Sequence, residues 1–315
     1  MDSRPFTVPF ELERAAVFLR QCFMQLRYHC FGHHVSGIET SFNTRVLLSE
    51  KLGSEILLYS PLDPALFNRN PDDTTAALAL GSNDDIRYMM RAAKTILEEI
   101  RAEVAVVTLL RIGATPIFEL KGQSSPSPQL SDDLFIQVTL QDFTKWIIDL
   151  EGAQFHRYQL VLPLNQLLPN IVQHRLRPDE LTQQLSRRIE VGYHLLFEDS
   201  PTMEAKCQIL LKYHFSRLLE RWLQSLKRWE GPTLHQLFNE QDHRRCNMMS
   251  AQITDALCRT FQHRLEEIVQ NGLMRQSLHG FVATEWTLRV AELDRVPPQI
   301  DWNVSKHASV GLPWL

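Results

Sequence analysis

Glycine is scarce in this 315-residue chain: there are 12, about 4% against a usual ~7%. Glycine supplies the positive φ angles and close backbone approaches that phosphate-binding loops need. Neither G-x-x-x-x-G-K-[ST] nor G-x-G-x-x-G occurs, and there is no G-x-S-x-G nucleophile elbow. The commonest nucleotide-dependent classes and the α/β-hydrolase pattern are therefore not expected. Long apolar runs are also missing, since no stretch approaches the ~18 residues of a membrane span. The start, Met1-Asp2-Ser3-Arg4-Pro5, meets Glu11, Glu13 and Arg14 too soon for a secretory leader. Nor does charge of one sign dominate. With 33 Lys+Arg against 37 Asp+Glu, the net charge of −4 gives no global pull toward nucleic acid or an anionic membrane, and neither is expected as a partner. The five cysteines, Cys22, Cys30, Cys207, Cys246 and Cys258, are odd in number. They read as reduced thiols of a cytoplasmic or nuclear protein.

What is present is helical periodicity. Over 11–28, apolar residues recur at helical spacing, and Val17, Phe18 and Cys22 widen the stripe until little of the circumference is polar. Such a helix is normally buried by its own domain. A helix over 86–101 follows an acidic start with Ser82 as cap. Then 104–112, β-branched and apolar, reads as a central strand, and 117–120 as a short one. Residues 61–71, rich in proline and asparagine, read as a loop. The stretch 122–133 has the composition of a flexible linker. Strands are expected near 55–59, over 135–140 and over 158–162. Helices are expected around 143–150, 165–175 and 178–196. From Ser200 two long amphipathic helices follow, the first ending at Gly231-Pro232 and the second at Asn271-Gly272, as a hairpin or part of a bundle. A late strand is expected over 284–291. The expected fold class is α+β, helix-dominated, with a helix-and-strand N-terminal half and a C-terminal helical hairpin or small bundle. Its organisation reads as an α+β domain over 1–122, a mixed connecting region over 123–199, and a helical region over 200–315 with a late strand and an apolar tail.

Three constellations bear on chemistry. Cys30-Phe31-Gly32-His33 and His243-Arg244-Arg245-Cys246 each carry a two-residue gap, so Cys30, His33, His243 and Cys246 form a candidate Cys₂His₂ zinc set. Against it, the pairs lie more than two hundred residues apart. Glu240 and His243 also show the E-x-x-H spacing of helical di-iron sites, without a second copy. Without such a metal, no cofactor is expected. Paired acids at Asp72-Asp73, Asp84-Asp85 and Asp132-Asp133 sit beside turn-forming residues and read as caps and loops. Basic residues along the long C-terminal helices are interspersed with glutamates and read as a solvated face. The closing segment is apolar to its end, so Leu312, Trp314 and Leu315 form a candidate surface for docking on the chain's own fold or on another protein.

The order helix over 11–28, irregular segment, helix over 86–101, apolar strand over 105–110, turn, and the short strand Phe118-Glu119-Leu120 resembles the HORMA-domain family. The likeness spans residues 10–122 and rests on element order. The family's members are adaptors that hold partner peptides under a mobile C-terminal segment, and 286–292 stands where the closing strand is expected. The missing catalytic signatures, with this resemblance beside them, point to a non-enzymatic interaction protein, an adaptor or subunit of an intracellular assembly that binds other proteins through helical and terminal apolar surfaces. The alternative is a metal-dependent or cofactor-independent small-molecule enzyme whose histidines and carboxylates meet in a helical pocket. The sequence leaves the oligomeric state open.

Overall fold

The computed structural model describes residues 7–30, 35–41, 44–49, 56–57, 64–67, 70–80, 85–111, 117–120, 131–167, 203–270 and 275–276. The fold is α+β and helix-dominated. Helix α1 (Phe10–His29) carries the nearly all-round apolar pattern, and it is buried accordingly: Leu12, Ala15, Ala16, Phe18, Leu19, Cys22, Phe23 and Leu26 are all at or below 1% exposure. It packs against α3 (Ile86–Glu98) and against the C-terminal helices α5 (Met203–Leu226), α6 (Leu234–Asn239) and α7 (His243–Gln270). Residues from both ends of the sequence thus share one hydrophobic core, in which Trp222, Phe215 and Phe261 are fully buried. Among the described residues no helix is long and apolar enough to cross a membrane.

Among the described residues, three small sheets flank the helices. Strands β1 (Val35–Ser41) and β2 (Thr44–Ser49) form an antiparallel hairpin, and β5 (Phe118–Leu120) adds in parallel to β2. Two-residue strands β3 (Ile56–Leu57) and β9 (Arg275–Gln276) pair with each other. The third sheet is a four-stranded antiparallel meander in the order β4-β6-β7-β8, from β4 (Glu103–Arg111), β6 (Ser131–Thr139), β7 (Lys145–Ile148) and β8 (Val161–Pro163). Helix α3 packs on β4 and β6. On β6, Leu134, Phe135 and Ile136 are all buried, so this central strand is covered on both faces, as its unbroken apolar run requires.

Several expectations change. The segment 143–150, read as helical, is β7 and its preceding turn, because its apolar residues pair across the ladder: Ile148 faces Ile136 and Trp146 faces Val138. The linker reading of 122–133 gives way at its end, where residues 131–133 belong to β6. The irregular segment after α1 holds the β1–β2 hairpin. The loop read over 61–71 ends where Asn70 caps α2 (Pro71–Leu78), accepting a hydrogen bond from the Asp72 amide, with proline in the first turn. Between the long helices, α6 starts at a capping box in which Thr233 and Gln236 satisfy each other's backbone amides. Of the helix expected over 165–175, residues 165–167 belong to α4 (Leu164–Leu167), and 168–175 lie outside the described residues. Residues 178–196, 284–291 and 310–315 lie outside the described residues.

Candidate functional site

The feature that stands out for function is one edge of the four-stranded sheet. The chain reaches it from α3 through a tight helix end: the Ala102 amide donates to the Leu97 carbonyl at 3.1 Å, with Arg101 at φ 56°. This is the helix-ending bond pattern that usually places glycine in the left-handed position. β4 then runs for nine residues in continuous antiparallel register with β6, from Glu103 opposite Thr139 to Arg111 opposite Ser131. Its length is ~30 Å at ~3.4 Å per residue. Among the described residues β6 is its one ladder partner, and no described strand lies beside its other edge. The opposite edge of the sheet differs in kind. β8 is three residues long and ends in Pro163, which has no N–H to offer. Short length and proline are the usual devices that blunt a sheet edge against pairing. β4 has neither: it contains no proline, and its only charged residues are the first and last, Glu103 and Arg111.

The hairpin joining β6 to β7 lies at the Glu103 end of β4 and carries an unusual residue. Phe143 is 83% exposed and holds φ 63°, a conformation that L side chains rarely adopt. Its amide donates to the Leu140 carbonyl at 2.9 Å, and the Asp142 carboxylate accepts from the Thr144 hydroxyl at 2.6 Å and the Thr144 amide at 3.0 Å. These bonds, led by the hydroxyl, hold the Asp142 carboxyl below its usual range. No glycine marks this turn, so the sequence carried no signal for it.

Of the proposed zinc ligands, Cys30 and Cys246 stand far apart. Cys30 caps the C-terminal end of α1, within the electrostatic reach of Lys212, Asp85 and Arg27. Cys246 sits on α7, its thiol 3.9 Å from the Leu237 carbonyl, with Arg14 of early α1 as its charged neighbour. Arg14 and Cys30 are sixteen residues apart on or at the end of one helix, or ~24 Å along its axis. His243 is exposed and His33 lies outside the described residues. Burial pushes the thiols of Cys22 and Cys30 far up, and that of Cys258 to about 11, which suppresses the thiolate that metal binding or nucleophilic attack needs. Among the described residues no group of three or more metal-ligating side chains converges. Leu312, Trp314 and Leu315 lie outside the described residues.

Two further polar groupings lie among the helices. Asp85, at the head of α3, is ion-paired with Arg27 of α1 and lies 2.7 Å from the Lys212 ammonium of α5. Arg27 also donates to the carbonyls of Leu78 at 2.6 Å and Leu80 at 2.7 Å. Arg27 and Asp85 are buried and, with Lys212 and the Leu78 carbonyl, tie together α1, α2, α3 and α5. Where α5, α6 and α7 meet, an open cleft of about 660 Å³ is lined in part by Glu230, His235, Asn239, Glu240 and Arg245. Its polar groups bond to near neighbours: Glu240 pairs with Arg245 at 3.1 Å, and His235 Nδ1 lies 3.4 Å from the Glu99 carbonyl. No protein-family model, curated protein or solved structure matches this chain.

Proposed function

We propose that this chain is a non-enzymatic interaction protein, an adaptor or subunit of an intracellular assembly, that takes an extended protein segment as a fifth strand along β4. The observation that carries this reading is the contrast between the sheet's two edges: Pro163 and shortness blunt β8, whereas β4 is long, regular and free of proline. An edge of this kind offers a row of backbone donors and acceptors to a strand of suitable length. The main chain supplies affinity in such pairing, and side chains at alternate positions supply selectivity. The resemblance of residues 10–122 to HORMA-domain adaptors points the same way. The buried free thiols of Cys22 and Cys30 support a reducing compartment, the cytoplasm or nucleus.

A displayed library of random peptides, panned on the full chain, tests the reading. Enrichment of extended peptides with alternating apolar residues is the expected result. Successive residues direct their N–H groups to opposite edges of a strand, so one of the two variants Ala105→Pro and Val106→Pro keeps the β6 ladder while blocking the open edge. That variant loses the peptides, and His235→Ala in the helical cleft retains them. Peptides that survive both proline variants and are lost in His235→Ala overturn the proposal in favour of the cleft.

A further inference from the structure

The charges at the ends of β4 say which partner suits this edge. Its sequence is Glu103-Val104-Ala105-Val106-Val107-Thr108-Leu109-Leu110-Arg111: one acid, seven uncharged residues, one base. An antiparallel pair of identical strands centred on Val107 sets Val107 against its own copy and Glu103 directly against Arg111 of the copy, at both ends. In that one register every charge meets its opposite, and no charge is stranded against an apolar residue. Opposite charges facing each other across antiparallel strands are favourable and like charges unfavourable.

We infer that the segment added along β4 is β4 of a second copy of this chain. The inference rests on the strand-addition reading above and names the partner. A two-fold axis perpendicular to the sheet at Val107 joins the two four-stranded meanders into one eight-stranded sheet. Both copies of α3 then lie on the same face, and the interface is closed and self-complementary. The blunted β8 edges form the two outer limits, so association stops at the dimer rather than extending into a fibre. The Glu103 end of each β4 carries a hairpin tip with its exposed Phe143, because Glu103 pairs with Thr139 immediately before that turn.

Sedimentation velocity of the full chain over a concentration series, with charge exchange at the strand ends, provides the test. Glu103→Arg sets Arg against Arg111 of the copy, and Arg111→Glu sets Glu against Glu103. Each is expected to weaken the dimer about tenfold or more, since two favourable pairs become two unfavourable ones. The double variant Glu103→Arg/Arg111→Glu restores opposite charges in the same register and is expected to recover the dimer. Glu103 is exposed, so Glu103→Arg reads association even if Arg111→Glu alone impairs folding. A dimer indifferent to both single exchanges overturns the inference. A chain that stays monomeric, with alternate β4 amides exchanging freely, overturns the second copy as partner and leaves strand addition standing. A monomer with every β4 amide protected overturns both.

Discussion

Asp85 and Arg27 form a buried ion pair across α3 and α1, with both side chains at or below 4% exposure. Two charges withdrawn from water hold only while each keeps its partners. Arg27 also donates to the carbonyls of Leu78 and Leu80, and Asp85 turns its second oxygen to Lys212. Asp85→Ala leaves an uncompensated guanidinium in the interior. It is expected to destabilise the chain by about 3–5 kcal/mol, measured by urea denaturation.

His29 sets an acid limit on stability. It is fully enclosed, with Phe215 and Phe261 ring centroids at 5.6 and 5.4 Å. Its Nδ1 is 2.8 Å from the Gln25 carbonyl. That oxygen can only accept, so Nδ1 carries the proton of the neutral ring. Burial lowers its pKa to about 4, against the weaker opposing effect of that hydrogen bond. The unfolded chain therefore binds the proton first as pH falls. The stabilising contribution is complete above about 6.5 and is lost progressively between about 6.5 and 4, up to about 3 kcal/mol. In His29→Phe the fall in melting temperature over this window is expected to shrink. An unchanged pH profile contradicts the assignment.

Phe143 holds a left-handed conformation at a solvent-exposed tip. Its side chain contributes little burial there, so Phe143→Gly relieves backbone strain at small cost to the core. A gain of about 1 kcal/mol is expected, read as a raised melting temperature. A loss of stability shows that the ring packs on its own hairpin.

Zinc analysis of the purified chain is expected to find less than one equivalent, because Cys30 and Cys246 stand near opposite ends of α1. Cys30→Ser and Cys246→Ser leave that metal content unchanged. Stoichiometric zinc lost in both variants contradicts the geometry.

Periodic segments were legible because burial is written into their spacing: α1, α3, α5 and α7 each carry an apolar face that repeats over several turns, and β4 stands out by seven consecutive uncharged, largely apolar residues. Where partners decide the structure, spacing failed. Lys145–Ile148 has the composition of a buried helix turn and becomes a strand because β6 lies beside it. Asp85 looked like an N-terminal cap, yet its side chain makes no cap bond and is committed to Arg27 and Lys212, 58 and 127 residues away in the chain. Composition showed that β4 is apolar. Only the pairing order puts it at one edge among the described strands, with Pro163 at the other.

The most direct measurement is residue-resolved amide exchange along 103–111 in the full chain, at a dilution where sedimentation shows monomer. The account predicts alternation: amides directed to β6 exchange slowly, those directed to the open edge exchange quickly, and the quick set slows when the chain associates. Uniform protection of every β4 amide in the monomer would show the edge already covered by the chain itself, and would contradict the account.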